Sequence, residues 1–130
     1  MLVPLELLLS LVYGCPANIA PCKCTAPTVP GSRPILDCSA LTEAHQFQAI
    51  SGLSARPPVH YDQIVIRRSQ LDVLPANAFG TSHANEYVIE NNPMLETIEN
   101  GAFGPNPNPK SVSIRSNPLL DSIPFEDLQT

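Results

Sequence analysis

Apolar positions recur with period two in three stretches of the chain: Tyr61–Leu71, Ala84–Asn92 and Pro109–Asn117. In each, two apolar side chains flank one outward position, giving the pairs Ile64 and Ile66, Tyr87 and Ile89, Val112 and Ile114. That alternation predicts a strand with one buried face. Three residues beyond the second apolar position stand Ser69, Asn92 and Asn117, followed by Leu71, Leu95 and Leu120. Further on come Leu74, Ile98 and Ile123, and then Phe79, Phe103 and Leu128. Measured between Ile66, Ile89 and Ile114, the unit is 23 and then 25 residues long. One such unit cannot bury its own apolar side, so successive units are expected to stack, with their strands forming a parallel sheet.

Residue types at the turns follow from the same geometry. Where each strand ends and the chain turns inward, backbone N–H and C=O groups lose their ladder partners. An Asn amide offers both a donor and an acceptor there, so Asn92 and Asn117 are expected to form a column that ties the turns together. Ser69 can do only part of this, and the first turn is expected to be less well tied. Upstream, Ile35-Leu36-Asp37-Cys38 reads as an opening strand with Leu36 and Cys38 inward. Thr42–Ser51 predicts a short helix with Phe47 and Ile50 on one side and Gly52 as its stop. The segments 78–85 and 102–109, with Gly80, Gly104 and a Pro-Asn-Pro-Asn-Pro run, predict loops. The unit lengths and the L-x-x-L-x-L-x-x-N-x-L spacing fit a leucine-rich repeat. The expected fold is therefore α/β: a leucine-rich-repeat solenoid with short parallel β-strands on its concave face and irregular convex turns.

Composition sharpens this picture in two places. Fifteen Pro in 130 residues preclude long uninterrupted helices. Aromatic residues make up only 5%, with no Trp, so a core of stacked rings is not expected. Seven Lys and Arg against twelve Asp and Glu leave a net charge of -5, which argues against a nucleic-acid partner. No apolar run approaches the roughly 20 residues that span a bilayer, so no integral membrane segment is expected.

Residues 1–14, MLVPLELLLSLVYG, predict a signal peptide and a secreted protein, despite the absence of a basic residue near the start and the presence of Glu6. Residues 15–53 form a cysteine-rich cap with its short helix, and residues 54–130 hold about three repeats. Cys15, Cys22, Cys24 and Cys38 are four cysteines clustered behind a signal-like segment, a pattern that points to disulfides. A Cys22–Cys24 bond would strain the bridge across a single intervening residue, so two of the three pairings remain. Zinc is the rival use of four thiolates, but paired C-x2-C knuckles are missing and no His lies between them. Redox catalysis fits less well, because C-x-C is not the C-x-x-C motif.

The predicted mature chain resembles the N-terminal part of extracellular leucine-rich-repeat proteins, with the four cysteines matching their N-terminal cap. That resemblance implies the crossed pairing Cys15–Cys24 and Cys22–Cys38. More narrowly, CPANIAPCKCTAPTVPGSRPILDCS, the NAFG and GAFGP turns, ENNPMLETIENGAF and IPFEDL are similar to secreted arthropod proteins. These are the proteins named after the non-catalytic subunit of Oplophorus-luciferin 2-monooxygenase. The resemblance implies a binding or stabilising role and no luciferin oxidation by this chain.

No catalytic constellation emerges from the residues. His45, His60 and His83 stand apart from any H-E-x-x-H frame, and G-x-S-x-G and phosphate-binding Gly loops are missing, so neither enzymatic activity nor a cofactor or metal is expected. The expected function is protein binding through the concave sheet, with a subunit that stabilises a secreted catalytic partner as the alternative. Outward positions read across the units give Val65, Val88 and Ser113 in one row and Arg67, Glu90 and Arg115 in the next. A third row holds Arg68, Asn91 and Ser116. Because the sequence ends soon after the third unit, Val112, Ile114, Leu120 and Ile123 are expected to face water unless further repeats follow or the edge pairs with another chain.

Overall fold

β-branched residues suit a pleated, half-buried backbone, and all three alternating stretches are strands in the computed structural model of the chain. It describes residues 15, 19–27, 29, 31–48, 59–104 and 109–124. The expected signal segment 1–14, Ile50, Gly52, Leu128, most of the Pro-Asn run and the boundary at 53/54 lie outside the described residues. The architecture is mixed α/β, with a mostly parallel five-stranded sheet and two disulfides.

In chain order the strands are β1 (Lys23–Thr25), β2 (Ile35–Asp37), β3 (His60–Arg67), β4 (Val73–Leu74), β5 (His83–Glu90), β6 (Thr97–Ile98) and β7 (Ser111–Arg115). The main sheet has the order β1-β2-β3-β5-β7; β2, β3, β5 and β7 run parallel, and β1 is an antiparallel edge. Its register aligns Leu36 with Ile64, Ile64 with Tyr87, and Tyr87 with Val112, while Ile66, Ile89 and Ile114 form the neighbouring rung. A second, two-stranded parallel sheet pairs β4 with β6 and continues as a bridge from Thr97 to Ser122. The sequence pattern marked Leu74, Ile98 and Ile123 as apolar positions without predicting this second sheet.

Between the sheets lies the core. Leu36, Cys38, Ile64, Ile66, Leu71, Leu74, Tyr87, Ile89, Leu95 and Ile98 are buried there, and Val112, Ile114 and Leu120 pack against it while half-buried. Aromatic residues are few but gathered. Phe47 meets Phe79 edge-on at 5.6 Å, Phe79 lies 6.1 Å from Tyr87, and Tyr87 meets Phe103 at 4.8 Å. The core rings meet in edge and tilted contacts and not in stacks, with Phe79 and Phe103 of the two equivalent turns on either side of Tyr87 of β5.

One expectation is refined and another corrected. The helix predicted over Thr42–Ser51 starts as a 3-10 turn at Ala44–Phe47 with Gln48 helical after it, and residues 49–51 lie outside the described residues. Gln46 Oε1 folds back to accept the backbone N–H of Thr42 (2.7 Å) and of Glu43 (3.0 Å), which fixes its start. Residues 83–85, expected as loop, belong to β5, because the adjoining strands supply partners: His60 registers with His83, and Asn85 O accepts Lys110 N–H at 2.7 Å. Tertiary pairing overrides the local turn signal there.

The NAFG and GAFG turns have a backbone reason. Asn77 and Gly80, and likewise Gly101 and Gly104, adopt positive φ around a buried Ala-Phe pair. Asn and Gly are the residues that enter that region at least cost.

In the cysteine-rich segment the disulfides are Cys15–Cys24 and Cys22–Cys38, the crossed pairing. Cys24 lies on β1 opposite Leu36, so each bridge sits against the first parallel strand.

Candidate functional site

The turn column is built from side-chain amides. Asn92, with 0% of its surface exposed, accepts the Ser69 N–H (3.0 Å) and hydroxyl (2.9 Å) at Oδ1 and donates through Nδ2 to Ile66 O at 3.1 Å. Asn117 repeats the motif one unit on, accepting Asn92 N–H at 3.0 Å and donating to Ile89 O at 2.9 Å. Ser69 is buried, and its Oγ also accepts Leu71 N–H at 3.3 Å. Its hydroxyl bonds its own turn and the next unit. The carbonyl equivalent to those reached by the two Asn, Cys38 O, instead accepts Leu41 N–H at 3.3 Å.

This column holds the strand ends level, and on the opposite side of the main sheet the outward residues fall in rows. Val65 is in register with Val88 and Val88 with Ser113; Arg67 is in register with Glu90 and Glu90 with Arg115. Outward Val65 and Val88 are 6% and 4% exposed yet stand apart from the core cluster. Polar pairs flank them on both sides. Gln63 Nε2 donates to Glu86 Oε1, Ser111 Oγ donates to Glu86 Oε2 at 3.2 Å, and the Arg67–Glu90–Arg115 row lies beyond.

Glu90 is the hub of that row. Its Oε2 accepts Ser113 Oγ–H at 2.5 Å and Arg115 Nε–H at 2.7 Å, and its Oε1 lies 3.5 Å from Arg67 Nε. Its side chain is 10% exposed, against 51% for Arg67 and 74% for Arg115. Hydrogen bonds from Ser113 and then Arg115, with the charges of Arg115 and Arg67 behind them, hold its carboxyl below the usual glutamate value. Glu90 lies beneath one layer of side chains and not in the core, so solvent still screens these charges.

Arg68, Asn91 and Ser116 stand just past the strands, each with positive φ (53°, 58° and 58°). They follow the outward row residues directly and, with Gln70, Pro93 and Pro118, line a groove of about 380 Å3. All eight residues predicted for partner binding, Val65, Arg67, Arg68, Val88, Glu90, Asn91, Ser113 and Arg115, thus lie along one side of the sheet and its turn edge. Gln63, Glu86 and Ser111 extend the rows by one step. The same period-two parity, carried one position pair back, would have found them.

A second polar group stands at the strands' N-terminal ends. The rings of His60 and His83 stack at 4.4 Å, His60 Nε2 lies 2.7 Å from Asn85 Oδ1, and Asn85 Nδ2 donates to Asp62 at 3.2 Å. Alternation fails there. Tyr61 and Ile64 are both buried although three residues apart, so parity counted back from Ile64 does not place His60. Desolvation, then the charges of His60 and Arg33, lower the pKa of His83. Among the described residues no group of three or more His, Cys, Asp or Glu is placed to hold a metal ion, and no helix is long and apolar enough to cross a membrane.

The two lowered pKa values predict acid sensitivity. For both groups the unfolded chain binds protons more readily than the folded one, so stability falls as pH falls. The His83 contribution is present above its ordinary 6.5 and is lost as pH drops through its folded value; that of Glu90 is present above 4.5 and is lost below it. Urea midpoints of the wild type should therefore decline in two stages on acidification. His83→Gln should abolish the first stage and Glu90→Gln the second. A flat profile would contradict the assignment.

No protein-family model, curated protein or solved structure matches the chain.

Proposed function

We propose that the chain is a secreted leucine-rich-repeat module that binds a protein partner through the open face of its parallel sheet and acts without catalysis of its own. Three features support the repeat reading: equivalent rungs at 23- and 25-residue intervals, the Asn92–Asn117 column, and a disulfide-bonded segment against the first parallel strand. Both disulfides accord with an oxidising, extracellular setting.

The observation that carries the functional reading is the row Arg67–Glu90–Arg115 beside Val65 and Val88. It is a strip of charge supplied by three successive strands, lying beside the buried Val65 and Val88, with both guanidinium groups half or more exposed. Concave faces of stacked repeats bind partners through such strips. The double substitution Arg67→Glu, Arg115→Glu should weaken binding of the partner by about 100-fold, about tenfold for each charge-assisted hydrogen bond removed. The partner recovered from the native secreted fluid is titrated calorimetrically against both forms, with circular dichroism to show that the variant is folded. Unchanged affinity would remove this face from the account.

A further inference from the structure

Three of the seven Lys and Arg residues in a chain of net charge -5, Arg67, Arg68 and Arg115, stand at the C-terminal end of the parallel strands. One carboxylate, Glu90, lies between Arg67 and Arg115. A single carboxylate between two guanidinium groups leaves the row with a net positive charge. Arg68 is exposed, and among the described residues it faces no carboxylate within ion-pair distance. Elsewhere on the face the signs are mixed: Glu86 lies one outward row below Val88, and exposed Asp37, in register with Val65, has exposed Lys23 beside it on β1. The cationic charge of the face is thus gathered along its turn edge, and the rest is of mixed sign.

Beside the cationic edge runs the groove formed by the left-handed turns Arg68, Asn91 and Ser116 and closed by Gln70, Pro93 and Pro118. Neighbouring turns are about 4.8 Å apart, so an extended segment crossing from the first unit to the third covers the distance with about three residues. Guanidinium groups match carboxylates in geometry as well as charge. We propose that this edge takes an acidic polypeptide segment whose carboxylates, about three residues apart, meet Arg67 and Arg68 at one end and Arg115 at the other. A sulfated polysaccharide fits less well: its dense charge calls for more cations than the three gathered at this edge, and Glu86 on the same face repels it.

The inference rests on the binding face proposed above and names the chemistry of its partner. To test it, the full chain is titrated with fluorescein-labelled hexaglutamate, with hexaglutamine and with a heparin tetrasaccharide. Binding is read by anisotropy and mapped by amide chemical shifts. Hexaglutamate should saturate, move the amides of Arg67, Arg68, Asn91, Arg115 and Ser116, and lose affinity in added salt. Arg68→Gln and Arg115→Gln should each weaken it roughly tenfold without altering the fold. Equal binding of hexaglutamine, shifts confined to other surfaces, or heparin bound in preference to hexaglutamate would overturn the proposal. Hexaglutamate failing while the Arg67→Glu, Arg115→Glu chain still loses its partner would overturn the acidic chemistry alone. Hexaglutamate binding here while that variant keeps its partner would overturn the docking-face reading.

Discussion

Asn92→Ala should destabilise the protein by about 3–5 kcal/mol, because it strands several buried backbone and hydroxyl groups at once. Oδ1 of Asn92 accepts both the N–H and the hydroxyl of Ser69, and Nδ2 satisfies Ile66 O, at a residue with 0% exposure where bulk water has no access. Each buried group left without a partner costs about 1–3 kcal/mol. Asn117 makes the equivalent bonds at a half-buried position, where water can stand in for the missing amide. Asn117→Ala should therefore cost only about 1 kcal/mol. Guanidinium denaturation of both variants checks the ordering, and equal or reversed costs would show that the column does not hold the turns.

Tyr87→Ala should cost a similar amount, about 3–5 kcal/mol, by a different mechanism. Its ring is 1% exposed, meets Phe103 edge-on at 4.8 Å and lies 6.1 Å from Phe79, so truncation opens a cavity at the centre of the aromatic run. Burial pushes its hydroxyl pKa up, so the group stays neutral, and it accepts the Ala84 N–H at 3.2 Å. Tyr87→Phe keeps the packing and loses that acceptor, which should cost about 1–2 kcal/mol. Thermal denaturation of the two variants separates ring from hydroxyl. A Phe variant as damaged as the Ala variant would mean that the hydrogen bond, and not the packing, carries the position.

Much of the sheet was legible because its signals are local and repeated. Ile64, Ile66, Tyr87, Ile89, Val112 and Ile114 announce their inward direction by parity, and the recurrence of the whole pattern after 23 and 25 residues makes them neighbours. The outward rows follow from the same parity, which is why spacing alone places Glu90 between Arg67 and Arg115. What the sequence concealed depends on partners distant in the chain. β1 exists because Lys23–Thr25 pairs with Ile35–Asp37, and nothing in Lys-Cys-Thr itself marks a strand. Strand β5 extends back to His83 because β3 offers His60, against a local Ser-His-Ala-Asn pattern that reads as a turn. The aromatic run was hidden by averaging: a low aromatic fraction says nothing of where the rings converge. The 3-10 start at Ala44–Phe47 reflects side-chain capping by Gln46, which the apolar spacing of the segment does not announce.

Everything proposed for this chain depends on strands that run parallel and in a single register, so that one face carries Arg67, Glu90 and Arg115 side by side. Scalar couplings across hydrogen bonds, read by NMR on the labelled protein, report that register atom by atom. The account predicts correlations from the Cys38 amide nitrogen to the Val65 carbonyl (2.8 Å), from Arg68 to Glu90 (3.3 Å) and from Asn91 to Arg115 (3.2 Å). Reciprocal pairs between β3 and β5, in which two facing residues exchange both hydrogen bonds, would mark antiparallel strands and contradict it.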